Sequence, residues 1–134
     1  LQDVAATPFD FRSPQKVGAR IKEAEEQLVV GLGYDHCWVL SAADSLKFAA
    51  SVYEPGSGRF MEVHTTEPGI QFYSGNFLDG SLIGKYGVTY QHRYGLCLET
   101  EHFPDSPNQP SFPLTVLAPG EEYVSQTIYT FGVK

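Results

Sequence analysis

The 134-residue chain carries nine Lys plus Arg against sixteen Asp plus Glu, a formal charge of −7, with 42% hydrophobic and 19% charged residues. That balance describes one moderately acidic globular domain with enough apolar material for a core, and no repeat, low-complexity tract or linker divides 1–134. The acidic excess and the lack of any Lys/Arg cluster argue against nucleic acid and anionic membrane surfaces as partners, and no apolar run approaches the ~20 residues that span a bilayer. The opening Leu1-Gln2-Asp3-Val4 has no basic leader and no initiator Met, so we read the chain as a processed product, a trimmed chain or a piece of something longer. Cys37 and Cys97 are too few for a disulfide framework and read as reduced thiols in apolar surroundings rather than a bridge. The compartment stays open between cytoplasm and periplasm or secretion.

In chain order, Ala6 to Arg12 is an extended, Pro-containing segment. Residues 14–28 space Val17, Ile21, Ala24 and Leu28 like one face of a helix, with Ser13 as N-cap and Pro14 at the first position. Gly18 weakens it, so the expectation is a short surface helix or helical turn. From residue 36 the period changes to two. Lys47 to Glu54 and Arg59 to Thr65 alternate on either side of Pro55-Gly56-Ser57-Gly58, which predicts a β-hairpin over 47–65. Further strands are expected at 37–41, 69–74, 95–102 and 121–133. The last would carry Tyr123, Ser125, Thr127, Tyr129, Phe131 and Val133 on one face, with Gly132 ending the other row. The chain therefore reads as all-β, an antiparallel β-sandwich or a portion of one, with one short helix.

No nucleophile elbow, phosphate loop or zincin motif is present, and His36, His64, His92 and His102 lack the short spacings of a zinc pair, so no metal site is expected. Polar residues in three loop-flanked stretches remain. On the strand at 97–101, alternation points Cys97, Glu99 and Glu101 one way, with the two carboxylates about 7 Å apart. In a partly dry cleft, repulsion and desolvation would raise the pKa of at least one of them toward the range of proton transfer; on an open face they are solvated charges. Asp35 is a turn residue or a ligand, and Gln71, between Ile70 and Phe72, faces outward or offers a bidentate amide to a ligand. Tyr34, Trp38, Phe72, Tyr73 and Phe103 are core residues or a stacking platform for a sugar ring. The set suggests carbohydrate over other ligand classes.

TPFDFR (7–12), GYDHCW (33–38), EPGIQFYSGNFLDG (67–80), CLETEHFPDSPNQPSFP (97–113) and LAPGEEY (117–123) resemble, in order and over essentially the whole chain, the C-terminal part of the aldose 1-epimerase (galactose mutarotase) family. The resemblance implies a large antiparallel β-sandwich, the galactose mutarotase-like supersandwich. It also implies cofactor-free interconversion of the α and β anomers of galactose, glucose and related aldoses. By the family's L-E-T motif, Glu99 would be the general base on the anomeric hydroxyl. Asp35 of G-Y-D-H and Gln71 of P-G-x-Q-F-Y would bind sugar hydroxyls.

Two positions depart from the pattern: Glu101 stands where the family usually has Gln, and Cys37 where it often has Asn. The first should alter the proton balance of the site and the second its packing. A larger departure is absence, because the family's acid, a His, and its further sugar-binding Arg and His lie in an N-terminal half that 1–134 does not contain. Three readings follow. The chain is the C-terminal portion of a mutarotase, active when an N-terminal half complements it; or a carbohydrate-binding module without turnover; or a glycoside hydrolase using Glu99 and Glu101. The last ranks lowest, since carboxylates on one strand cannot flank a glycosidic bond. The monosaccharide is the expected ligand, and apolar residues on both faces of the strands at 37–41 and 123–131 predict an N-terminal half or self-association as protein partner.

Overall fold

Side chains that alternate between two faces form the strands that dominate the regular structure of this chain, and the structure, a computed structural model, describes residues 1–41 and 45–134. Helix α1 (Glu26–Val30) precedes strands β1 (Asp35–Val39), β2 (Lys47–Glu54), β3 (Arg59–Thr65), β4 (Gly69–Tyr73), β5 (Cys97–Glu101) and β6 (Thr127–Val133). The strands form two three-stranded sheets, ordered β1-β4-β5 and β2-β3-β6. By its contacts the chain divides into two compact units, Leu1–His36 with Phe72–Cys97 and Cys37–Gln71 with Leu98–Lys134.

The second unit contains the predicted hairpin, with β2 and β3 at the expected residues and antiparallel. A bulge between Phe48 and Ala50 interrupts the alternation, and Phe48 is left exposed. β6 pairs antiparallel with β3 from Thr65↔Thr127 to Arg59↔Val133. At Phe60↔Gly132 the missing side chain has a use, because a Cβ on Gly132 would run into the Phe60 ring. Val63, at the centre of β3, is fully buried, whereas Tyr129, Phe131 and Val133 of the edge strand β6 are exposed.

Three expectations need correction. The segment 6–12, expected to be extended, is a run of turns in which the Thr7 N–H donates to the Val4 carbonyl and the Asp10 N–H to that of Thr7. The strand expected over 121–133 begins only at Thr127. Its partner β3 ends at Thr65, and Pro68, without an N–H, cannot extend a ladder. Gln126 still exchanges hydrogen bonds with Thr66, while Tyr123 and Ser125 turn their hydroxyls to Glu67.

The helix expected over 14–28 is instead a single 3-10 turn, Val17–Ala19, followed by a break and then α1 at 26–30. Arg20 ends the first piece by donating to the carbonyls of Thr7 and Asp10. Glu25, not Ser13, is the N-cap of α1, its carboxylate accepting from the N–H groups of Gln27 and Leu28. The apolar spacing still picked out the two side chains that matter, since Ile21 and Leu28 are both buried while Ala24 is exposed.

In the first unit Tyr34 is fully buried, donates its hydroxyl to the carbonyl of Pro8, stacks on Phe72 and meets the edges of Phe9 and Phe11. Ser74 and Asn76 complete this core, Asn76 donating to the carbonyls of Gly31 and Tyr34 and accepting from Ser74. Buried amides and hydroxyls are thereby matched rather than stranded.

The burial pattern separates two β-sheet positions. Val63→Ala should cost about 2 kcal/mol by leaving a cavity, and Phe131→Ala no more than about 0.5 kcal/mol, as read by urea denaturation of the chain.

Candidate functional site

The centre of the candidate site is β4, the middle strand of its sheet. Gly69 on β4 leaves a gap: a Cβ there would sit 2.8 Å from the Cys37 sulfur and 3.0 Å from the Phe103 ring. On this face the Cys37 thiol of β1 lies beside the carboxylate of Glu101 on β5, close enough for each to shift the other's proton affinity. Period two then places Gln71, two residues after Gly69, and Glu99, two before Glu101, on this same face. Cys37 and Glu101, far apart in the sequence, are therefore neighbours in space.

The two carboxylates differ in setting. Glu99 is exposed and Glu101 half-buried, with its Oε1 shut away from water and from hydrogen-bond partners. Burial pushes the Glu101 carboxyl up; the Cys37 thiol offsets part of this, and the charge of Glu99 adds to it. Burial pushes Cys37 up as well, to about 12, with the adjacent Glu101 charge and its hydrogen bond contributing. This thiol stays protonated and acts as a donor. Cys97 is not in apolar surroundings as expected but exposed, and neither cysteine is in a disulfide.

Asp35 falls in the first unit at the start of β1 and is half-buried. Its N–H donates to Nδ1 of His36, whose ring packs against the Phe9 edge. Burial lowers the His36 pKa despite the adjacent Asp35 charge, so the ring is neutral. The structure thus brings Gln71 and Glu99 onto one face of the second unit and sets Asp35 in the other. Of the expected aromatic platform, Tyr34 and Phe72 are core; Trp38, Tyr73 and Phe103 are half-buried.

One polar cluster was not anticipated from the residues. Glu67 is only 5% exposed. Its Oε1 accepts from the hydroxyls of Tyr123 and Ser125, and its Oε2 lies 2.8 Å from Nδ1 of His102. Burial alone would raise this carboxyl, but the Ser125 and Tyr123 hydroxyls and the His102 ring outweigh it and hold it below the usual carboxylate range. The available signal was positional, because Glu67 opens one of the specific motifs and His102 lies inside another. Among the described residues no group of three or more His, Cys, Asp and Glu could hold a metal ion.

Two measurements check these environments. A thiol reagent at pH 8 should label Cys97 at least about tenfold faster than Cys37. Glu101 has a folded pKa above its ordinary 4.5, so the folded chain binds more protons than the unfolded one and loses stability as pH rises from that value through the raised one. Glu101→Gln should remove this loss, and its advantage in denaturation midpoint should be small at pH 4 and larger at pH 7.

Comparison with known proteins gives the family of the chain. A family model described as aldose 1-epimerase matches residues 1–130. Galactose mutarotase of Mus musculus is 47% identical over 133 residues, 99% of this chain and 37% of that protein. Aldose 1-epimerase of Escherichia coli K12 is 43% identical over 134 residues, covering 98% of this chain and 38% of that protein. The crystal structure of a GalM/aldose epimerase homologue from C. elegans superposes with a TM-score of 0.84 at 30% identity, covering 98% of this chain and 38% of that one. The chain spans a little over a third of the length of these relatives. Its motifs, its antiparallel sheets and its match over nearly every residue agree, and the chain belongs to the aldose 1-epimerase family.

Proposed function

We propose that the chain is the C-terminal, base-bearing portion of an aldose 1-epimerase acting on galactose- or glucose-type sugars. Glu99 is its general base, and Asp35 and Gln71 are ligands to the sugar hydroxyls. The observation that carries this reading is the contrast on β5: Glu99 is open to a ligand, whereas Glu101 is half-buried and engaged by Cys37. A base has to reach the proton it abstracts.

Anomer exchange needs two proton transfers. Glu99 takes the proton from the anomeric hydroxyl as the electron pair on O1 forms the aldehyde carbonyl and the C1–O5 bond breaks. An acid protonates the departing ring oxygen. Rotation about C1–C2 turns the other aldehyde face to that oxygen, and the reverse transfers close the ring. None of this chain's residues is assigned as the acid, which on this reading comes from the N-terminal part of the complete protein.

In the complete protein, Glu99→Gln keeps the shape but removes the basic oxygen, so kcat should fall by ~10²–10⁴ with sugar affinity nearly kept. Asp35→Asn and Gln71→Ala should mainly weaken binding, each by ~1–3 kcal/mol. Polarimetry of freshly dissolved α-D-galactose checks all three. Loss of turnover in Glu101→Gln with none in Glu99→Gln would move the base two residues along the strand.

The same reading predicts the state of the chain on its own. The exposed apolar residues of β6 and its unpaired edge should make it self-associate or bind a second chain. A clean monomer by sedimentation velocity at every concentration would count against that.

A further inference from the structure

Thr100 alternates with Glu99 and Glu101, so it lies on the reverse of the face that carries the candidate base, and His102 directly follows the end of the strand. Both are held. The Thr100 hydroxyl is 2.8 Å from that of Thr127, which is 2.9 Å from that of the fully buried Thr65. Thr65 Oγ1 in turn accepts the backbone N–H of Glu67 at 3.1 Å. From Glu67 the path returns through its carboxylate to His102 at 2.8 Å, two residues along the chain from where it began. The result is a closed circuit within the second unit, tied from outside by the Tyr123 and Ser125 hydroxyls on Glu67.

We infer that this circuit is a positioning device for Glu99, with Glu67 and Thr100 as positioning residues that fix the β5 backbone from behind. The inference rests on reading Glu99 as the base. The physical reason is geometric: proton transfer needs the carboxylate within hydrogen-bond reach of one hydroxyl, and a displacement of about 1 Å can cost ~10²-fold in rate. A strand tied at Thr100 and again just past its end at His102 resists shifting or twisting between them, so the residue beside Thr100 inherits its precision. Glu67 suits the part because its charge stays in place. Its carboxyl accepts two hydroxyls and faces His102, so it has little freedom to turn. Neither Thr100 nor Glu67 needs to touch the sugar.

The test is steady-state polarimetry of the complete protein with α-D-galactose, comparing Thr100→Val, Thr100→Ser, Glu67→Gln and Glu99→Gln, and the first and third each combined with Glu99→Gln. Thr100→Val and Glu67→Gln should each lower kcat about tenfold with KM within about twofold. Thr100→Ser, which keeps the hydroxyl, should retain the parental kcat. Each double variant should be no slower than Glu99→Gln alone, because a misplaced group that is already absent loses nothing more. Should Glu67→Gln fail to fold, the near-isosteric Thr100→Val and its Ser control carry the same comparison. Unchanged kcat in Thr100→Val and Glu67→Gln, beside a large loss in Glu99→Gln, overturns the positioning role and leaves the base in place. Losses that multiply in the double variants also overturn it, since they would act independently of Glu99. Full activity of Glu99→Gln overturns the base reading itself, and the positioning of that base with it.

Discussion

A carboxylate that is 5% exposed has to be matched, and how Glu67 is matched organises much of the second unit. It sits between β3 and β4, while its partners come from the end of β5 and from the segment before β6. One ion therefore ties together stretches some 35 to 58 residues apart in sequence. Removing either hydroxyl would leave a buried carboxylate oxygen under-satisfied, which costs more than an average hydrogen bond contributes to stability. The lowered Glu67 carboxyl supports the fold above its ordinary pKa and withdraws that support as pH falls through the lowered value. The raised Glu101 carboxyl has the opposite slope. The two buried acids of one unit thus favour opposite ends of the pH scale.

Cys37 and Glu101 are a thiol and a carboxylate on different strands brought side by side. Gly69 is the condition for it, since any side chain there would fill the space through which the two meet. Glu101 brings a second carboxyl beside Glu99, and burial and the Glu99 charge raise its proton affinity while the thiol partly offsets this.

The legible parts of the chain were those where local rules and burial agree. The hairpin follows from uninterrupted alternation around Pro55-Gly56-Ser57-Gly58, and β4 and β5 were found within a residue or two of their ends. The helix at 14–28 was not, because its apolar spacing reports which side chains are buried, Ile21 and Leu28, and not the path of the backbone between them. Arg20 and Glu25 decide that path through contacts no periodicity encodes. The segment 121–126 failed for a related reason: its alternation was genuine, but the strand it would pair with turns away at Pro68. At the site, alternation alone put Glu99 and Glu101 on one face; telling them apart needed the Gly69 gap and the thiol across it. Glu67 was invisible as a cluster, since its partners are remote in sequence.

On the proposed reading this chain holds the base of an acid–base pair whose acid lies in the N-terminal part of the complete protein. Polarimetry of α-D-galactose with the chain alone, with the missing N-terminal part alone, and with the two mixed tests that most directly. The account predicts rates near buffer background for each part, a large gain on mixing, and loss of the gain when the mixed chain carries Glu99→Gln. A rate far above background for the 134-residue chain by itself would contradict it, and would mean that one of its own groups serves as the acid.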